Sequence, residues 1–445
     1  MKNLARGPAE RLRRDPRNLF YLISAAGILL YFLLSLPYGG RLYAWMVQEN
    51  APEIRFIDYF SHLESVENPG RLYLQIAQDA DGSYAAVFPP LAYALYYLLC
   101  RLTAVAGGRP AGMKIEAVPG ALSVFTLYLI FNAVIFLAAI EITGKRDRKK
   151  DLLLFTLLML SAVFAGSGYM LGNSAVLVAG LLLLALSLKD SPRAPRRELG
   201  LLTLAVCVAM KLYPAVFGLV FLKEKRYKDL LRLILYSLVL TFAPFCFFGG
   251  IEGLQAWIGN LTGPLESAGL YGRPQFLKGA FYTVIRMLTG REEAALSTAL
   301  TVAVCLAWIW LAWRSSSAWR TQFFLICVMV FFPSGAYRYT LAYFSIPLAF
   351  LLKSEPEEKP GAWPVGTVSA LYGLLYTIPV WWLPVCPIGR AFSVRTLTGV
   401  EIYLYLIAYL LVIAVTAAEL TARKKAYGRL FFPCLKLYRD KEKKV

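Results

Sequence analysis

Long apolar runs, separated by short polar breaks, repeat along almost the entire chain. Crossing the ~30 Å hydrocarbon core takes about 20 mostly apolar residues in a helix. Lipid offers no water to backbone polar groups, so only helices or closed barrels can span it. These runs are far longer than barrel strands. The pattern therefore predicts an all-α polytopic membrane protein, one bundle over 1–445. Its spans fall near 18–37, 84–106, 118–142, 152–170, 173–188, 199–222, 230–249, 294–313, 320–333, 337–352, 362–385 and 400–422, about twelve in all.

Three hydrophilic stretches interrupt the pattern: 38–83, 250–293 and the tail 423–445. The first carries seven acidic side chains against three basic ones, and follows a basic segment 1–17 that includes Arg6, Arg11, Arg13, Arg14 and Arg17. Basic flanks mark the cytoplasmic side. The N-terminus and the basic tail are accordingly expected in the cytoplasm of a multi-pass cell-membrane protein, with 38–83 and 250–293 outside. Twelve simple crossings would, however, put the basic loops Lys145–Lys150 and Lys189–Arg197 outside. Keeping both inside requires 199–222 to be re-entrant, broken at Lys211 and Pro214, and 84–117 to be irregular. Broken helices are tolerated at membrane depth where they line a cavity, and this version brings the polar motifs to one face. Within 38–83, Phe56, Tyr59, Phe60 and Leu63 interleave with charges, as in an interfacial amphipathic helix.

Composition agrees: 58% of residues are hydrophobic and 17% charged. The net charge of +19 lies between the apolar runs and at the termini, which points to membrane orientation and anionic lipid rather than nucleic acid. The seven cysteines show no paired spacing for disulfides or zinc, and His62 is the single histidine, so no histidine relay or histidine-rich metal site is available. Asp79-Ala80-Asp81 resembles a short acidic metal motif but consists of common turn formers. Asn260-Leu261-Thr262 is a formal glycosylation acceptor. No metal or other cofactor is indicated.

A few polar residues stand where chemistry could use them. Asp58, in the first outer loop, is either a solvated loop carboxylate or a base able to take a hydroxyl proton. Phe88-Pro89-Pro90-Leu91 reads as a helix start, where the missing N–H of proline costs nothing. Asn173, after Gly172, is either a helix cap or an amide for a sugar hydroxyl. Lys211, in Met210-Lys211-Leu212-Tyr213-Pro214, lies deep in an apolar run; a cation there costs a few kcal/mol unless it faces a polar cavity or snorkels out. The proline breaks the helix, and the lysine is suited to a phosphate. Arg273 and Arg338 are loop arginines, whose planar fork also suits phosphate.

In chain order these features resemble the membrane-embedded GT-C glycosyltransferases. They are most like the bacterial polyprenyl-phosphate-mannose-dependent mannosyltransferases and, more distantly, the catalytic subunit of GPI mannosyltransferase I. The resemblance rests on Asp58, on Phe88 to Leu91, on Gly172-Asn173 and on Lys211-x-Tyr213-Pro214, and covers about the first half of the chain. It implies a GT-C-like bundle with amphipathic helices in the first outer loop. It also implies an inverting hexosyltransferase taking its sugar from a polyprenyl phosphate on the extracytoplasmic face. Asp58 would be the general base; Lys211 with Arg273 or Arg338 would hold the donor phosphate, and Tyr213, Asn173 and Glu64 would complete the substrate site. Relatives often carry a second acid beside the first, and here the nearest are Glu64 and Glu67. The acceptor would be a glycolipid or polysaccharide. A flippase of lipid-linked sugars would also need intramembrane cations but no acidic base, and a polysaccharide polymerase is a third alternative.

Overall fold

The computed structural model describes residues 15–36, 56–74, 76–79, 82–107, 118–144, 147–165, 172–262, 275–333, 337–354, 362–378 and 403–421. The chain runs through α1 (Asn18–Ser35), α2 (Ile57–Ser65), a hairpin of β1 (Ile76–Asp79) with β2 (Gly82–Ala85), α3 (Pro90–Gly107), α4 (Ala121–Ile142) and α5 (Arg148–Met159). Next come α6 (Ala175–Leu188), α7 (Ala194–Met210), a 3-10 turn (Tyr213–Phe217), α8 (Gly218–Lys223), α9 (Tyr227–Phe242), α10 (Gly250–Thr262) and α11 (Leu277–Thr289). The last third holds α12 (Ala294–Arg314), α13 (Ala318–Phe331), a 3-10 turn (Arg338–Phe344), α14 (Ser345–Lys353), α15 (Ala362–Leu375) and α16 (Tyr403–Thr421).

Each expected span contains helix among its described residues, but the lengths are uneven, and 166–170, 379–385, 400–402 and 422 lie outside the described residues. Among the described residues five helical stretches are long and apolar enough to cross a bilayer: Pro90–Gly107, Ala121–Ile142, Tyr227–Cys246, Ala294–Arg314 and Tyr403–Thr421. Shorter apolar helices cover Asn18–Leu34, Ala175–Leu188, Tyr213–Lys223, Ala318–Phe331 and Val365–Leu375, so a count of twelve crossings does not follow from helix length. The all-helical expectation is also amended by the hairpin, in which Ile76 pairs with Ala85 and Asp79 with Gly82. Asp79 ends β1 there, while Ala80 and Asp81 lie outside the described residues.

α4 shows how the bundle meets its surroundings. Leu127, Ile130, Phe131 and Val134 form an exposed stripe at helical spacing, while Phe125, Tyr128, Phe136 and Ala139 are buried on the other side. A helix apolar on both faces belongs in a membrane or a deep core. α6, buried along nearly its full length, is that core.

The basic loops gather at one end. Arg17 donates to the Ser354 carbonyl, and Lys353 forms a buried ion pair with Asp151 at 2.8 Å. Lys189 bridges Asp190 and Glu224 at 2.7 Å each, and Arg226 reaches Asp190 at 2.8 Å. Lys223 donates to the carbonyls of Ala312 and Ser315 and to the Thr321 hydroxyl, and Arg320 meets Glu419 at 3.3 Å. The loops around 147–151 and 189–193 thus share an end with those around 223–229, 315–321 and 353–354.

The chain reaches this arrangement as the charge pattern required. α7 stops at Met210, Lys211 is extended (φ −148°, ψ 113°), and the chain turns back through Tyr213–Phe217 and α8 to Lys223 at the basic end. The expected break at Lys211 and Pro214 is present, and it lies at the far end of this excursion. At the 84–117 region, Gly107 abuts Val118 and Gly120, so closely that an added Cβ would lie 2.5 Å from the Val118 side chain. α3 therefore finishes beside the start of α4, away from the basic end; 108–117 are outside the described residues.

Candidate active site

The far end collects the polar motifs. α2 begins after Phe56, which holds a left-handed conformation (φ 61°) as its N-cap, and Asp58 sits in the first turn. A carboxylate is favoured there by the helix dipole. The apolar face of α2 packs on protein rather than on lipid: the Tyr59 ring lies 4.6 Å from Phe125 and 5.7 Å from Tyr128, and Phe56 lies 4.5 Å from Phe125. The helix foreseen around Phe56–Leu63 exists, but aromatic side chains of α4 cover its buried face.

Gly172 brings the start of α6 against this helix. Its φ of +69° is left-handed, and a Cβ at this position would meet the Tyr59 Cβ at 2.5 Å. Only glycine satisfies both demands. The next residue, Asn173, is buried, and its side chain links the two halves of the site. Nδ2 donates to Asp58 Oδ2 at 2.7 Å, while Oδ1 accepts from the Ala175 N–H at 3.0 Å and from Lys211 Nζ at 3.3 Å. Because two donors converge on Oδ1, the amide nitrogen has to face Asp58. The amide is both a helix-start ligand and a bridge, so the two readings of Asn173 merge.

Lys211 is 3% exposed. Its nitrogen lies 3.3 Å from the centroid of the Phe88 ring and 5.8 Å from that of Tyr339. Tyr96 completes the floor, its hydroxyl accepting from the Ser174 N–H at 3.1 Å, and His62 packs against Tyr96 (4.7 Å) and Phe88 (5.2 Å). Burial, reinforced by the charge of Lys211, pushes the His62 pKa down to about 3, so the ring is neutral.

Of the other residues singled out in the sequence, Arg338 is half-buried and opens the 3-10 turn that carries Tyr339. Tyr213 is half-buried with its hydroxyl 3.0 Å from that of Tyr343 rather than in the Asp58–Asn173–Lys211 chain. Glu64 is exposed on α2, and at ~100° per residue it points to a different side of the helix from Asp58. Arg273 lies outside the described residues. Asn260 uses its amide as a clamp, donating to the carbonyls of Tyr73 (3.2 Å) and Ala86 (3.1 Å). Among the described residues no group of three His, Cys, Asp or Glu side chains is placed to hold a metal ion.

Sequence reasoning missed Phe88, Tyr339 and His62 as neighbours of the lysine, and Tyr96 as a partner of Ser174. An apolar sequence rich in aromatics offers no signal for which ring faces which cation.

A carboxylate and a buried lysine are thus joined through one amide at the end of a helical bundle with exposed apolar faces. The profile of glycosyltransferase family 87 matches residues 86–335, more than half of the 445-residue chain, and the chain belongs to that family. It is a membrane glycosyltransferase. The matched segment includes Phe88, Asn173, Lys211 and Tyr213, whereas Asp58, Glu64 and Arg338 lie outside it. A comparison with curated proteins returned no match.

Proposed function

We propose that the protein moves a hexose, with mannose the first candidate, from a polyprenyl-phosphate sugar to an extracytoplasmic glycolipid or polysaccharide. The observation that carries this reading is the Asp58–Asn173–Lys211 chain. An acceptor hydroxyl attacks the anomeric carbon and gives its proton to Asp58. The bond from that carbon to the phosphate oxygen breaks on the opposite face, so configuration inverts, and polyprenyl phosphate leaves with the bonding electrons. Lys211 stabilises the charge that grows on the departing phosphate, which is where fixed cations contribute most.

Asn173 holds one oxygen of the base and orients the lysine. Arg338 at the rim and Arg273 are further phosphate ligands in this reading, and Tyr213 acts from the wall through Tyr343. Glu64 has no role that the geometry supports. The reaction so written uses no metal or other cofactor. The gathered basic loops, which the positive-inside rule assigns to the cytoplasm, support an extracytoplasmic site with both termini inside.

The test is donor choice. Purified protein is expected to transfer labelled hexose from a polyprenyl-phosphate sugar and not from a nucleotide sugar. Transfer from the nucleotide sugar alone would overturn the donor assignment.

A further inference from the structure

We infer that Phe88 is the positioning residue that keeps Lys211 charged and unpaired for the donor phosphate. The inference rests on the phosphate role proposed for Lys211 and deepens it. A buried ammonium has to be compensated, and pairing with a carboxylate is the usual solution. Here the amide of Asn173 stands between the lysine and Asp58, and its oxygen, at 3.3 Å, makes a long hydrogen bond. Asp58 acts on the nitrogen from beyond that amide, and the Phe88 ring face lies in direct contact, 3.3 Å from the nitrogen. A ring face attracts a cation through its quadrupole, most strongly where both are desolvated. Unlike a carboxylate, it does not neutralise the charge, so the ammonium still attracts an incoming anion.

The backbone around Phe88 is built to hold that ring still. Three successive carbonyls each accept a hydrogen bond from a side chain elsewhere: Ala86 from Asn260 (3.1 Å), Val87 from Trp257 (3.0 Å) and Phe88 from Tyr73 (2.9 Å). Pro89 and Pro90 follow and open α3. The ring is further flanked by Tyr93 at 6.0 Å and His62 at 5.2 Å. α10, which carries Trp257 and Asn260, is thereby tied to the backbone beside the donor site.

The experiment measures donor KM and kcat with a polyprenyl-phosphate-mannose donor for wild type, Phe88→Leu, Phe88→Tyr and Lys211→Ala. It adds a series carrying progressively fluorinated phenylalanine at position 88, which drains charge from the ring face without changing its shape. Phe88→Leu is expected to lower kcat/KM for the donor about tenfold, equivalent to ~1.4 kcal/mol, with part of the loss in kcat because Lys211 acts on the leaving phosphate, and Phe88→Tyr to stay near wild type. The donor kcat/KM should fall with each fluorine, and this arm stands even if Phe88→Leu fails to fold. A flat fluorine series alongside a lowered kcat/KM for Lys211→Ala would overturn the role of Phe88 and leave the phosphate reading standing. An unchanged kcat/KM for Lys211→Ala would overturn both.

Discussion

Lys211 and His62 are buried close together in an apolar bundle, and their contacts differ. Lys211 has a ring face and an amide oxygen, whereas the Nδ1 of His62 is buried with no hydrogen-bond partner. The histidine therefore stays neutral, with its pKa pushed down to about 3 by burial and then by the nearby lysine. Below pH ~6.5 the unfolded chain takes up a proton that the folded chain refuses, so stability is intact above that value and falls as pH drops toward about 3. At pH 5 the loss amounts to about 2 kcal/mol. His62→Phe is expected to flatten the fall in melting temperature between pH 7 and pH 5. An equally steep fall in the variant would contradict the assignment.

The elements that carry the site are held by contacts at a few special positions. α2 meets the start of α6 only because Gly172 is both left-handed and without a Cβ. Gly172→Ala should cost about 2–4 kcal/mol from backbone strain and overpacking, and should separate Asp58 from Asn173. Lower thermal stability in detergent together with lost transfer is the expected result; wild-type values of both would contradict it.

Much of the site was legible at this scale. A lysine and a proline inside an apolar run mark the break between α7 and α8, and an aspartate at the head of an amphipathic segment marks α2. The Gly-Asn pair was legible as a helix start, though its bridging amide was not, since that depends on partners from two other elements. Phe88 on Lys211 was hidden for the same reason. Helix lengths were blurred too: continuous hydropathy over 199–222 conceals an extended residue and a 3-10 turn that cost a hydrogen-bonded span no apolar side chain.

For the whole molecule, charge decides between alternatives that hydropathy cannot separate. The basic loops at 147–151 and 189–193 join the others through buried and half-buried ion pairs. The excursion from α7 through Lys211 to α8 supplies the extra reversal that permits this. Cysteines introduced singly at Arg148 and at Glu252, in a background with the native cysteines replaced, test the orientation. In intact cells a membrane-impermeant maleimide should label position 252 and spare 148; the reverse pattern would invert the topology.

The central claim is that Asp58, steered by Asn173, takes the acceptor proton while Lys211 holds the leaving phosphate. Its most direct test is the rate of hexose transfer from a polyprenyl-phosphate donor by purified Asp58→Asn beside wild type. A general base of this kind contributes about 10²–10⁴-fold. The account predicts a loss of kcat in that range with donor KM little changed. Wild-type transfer rates from both Asp58→Asn and Asp58→Ala would contradict it.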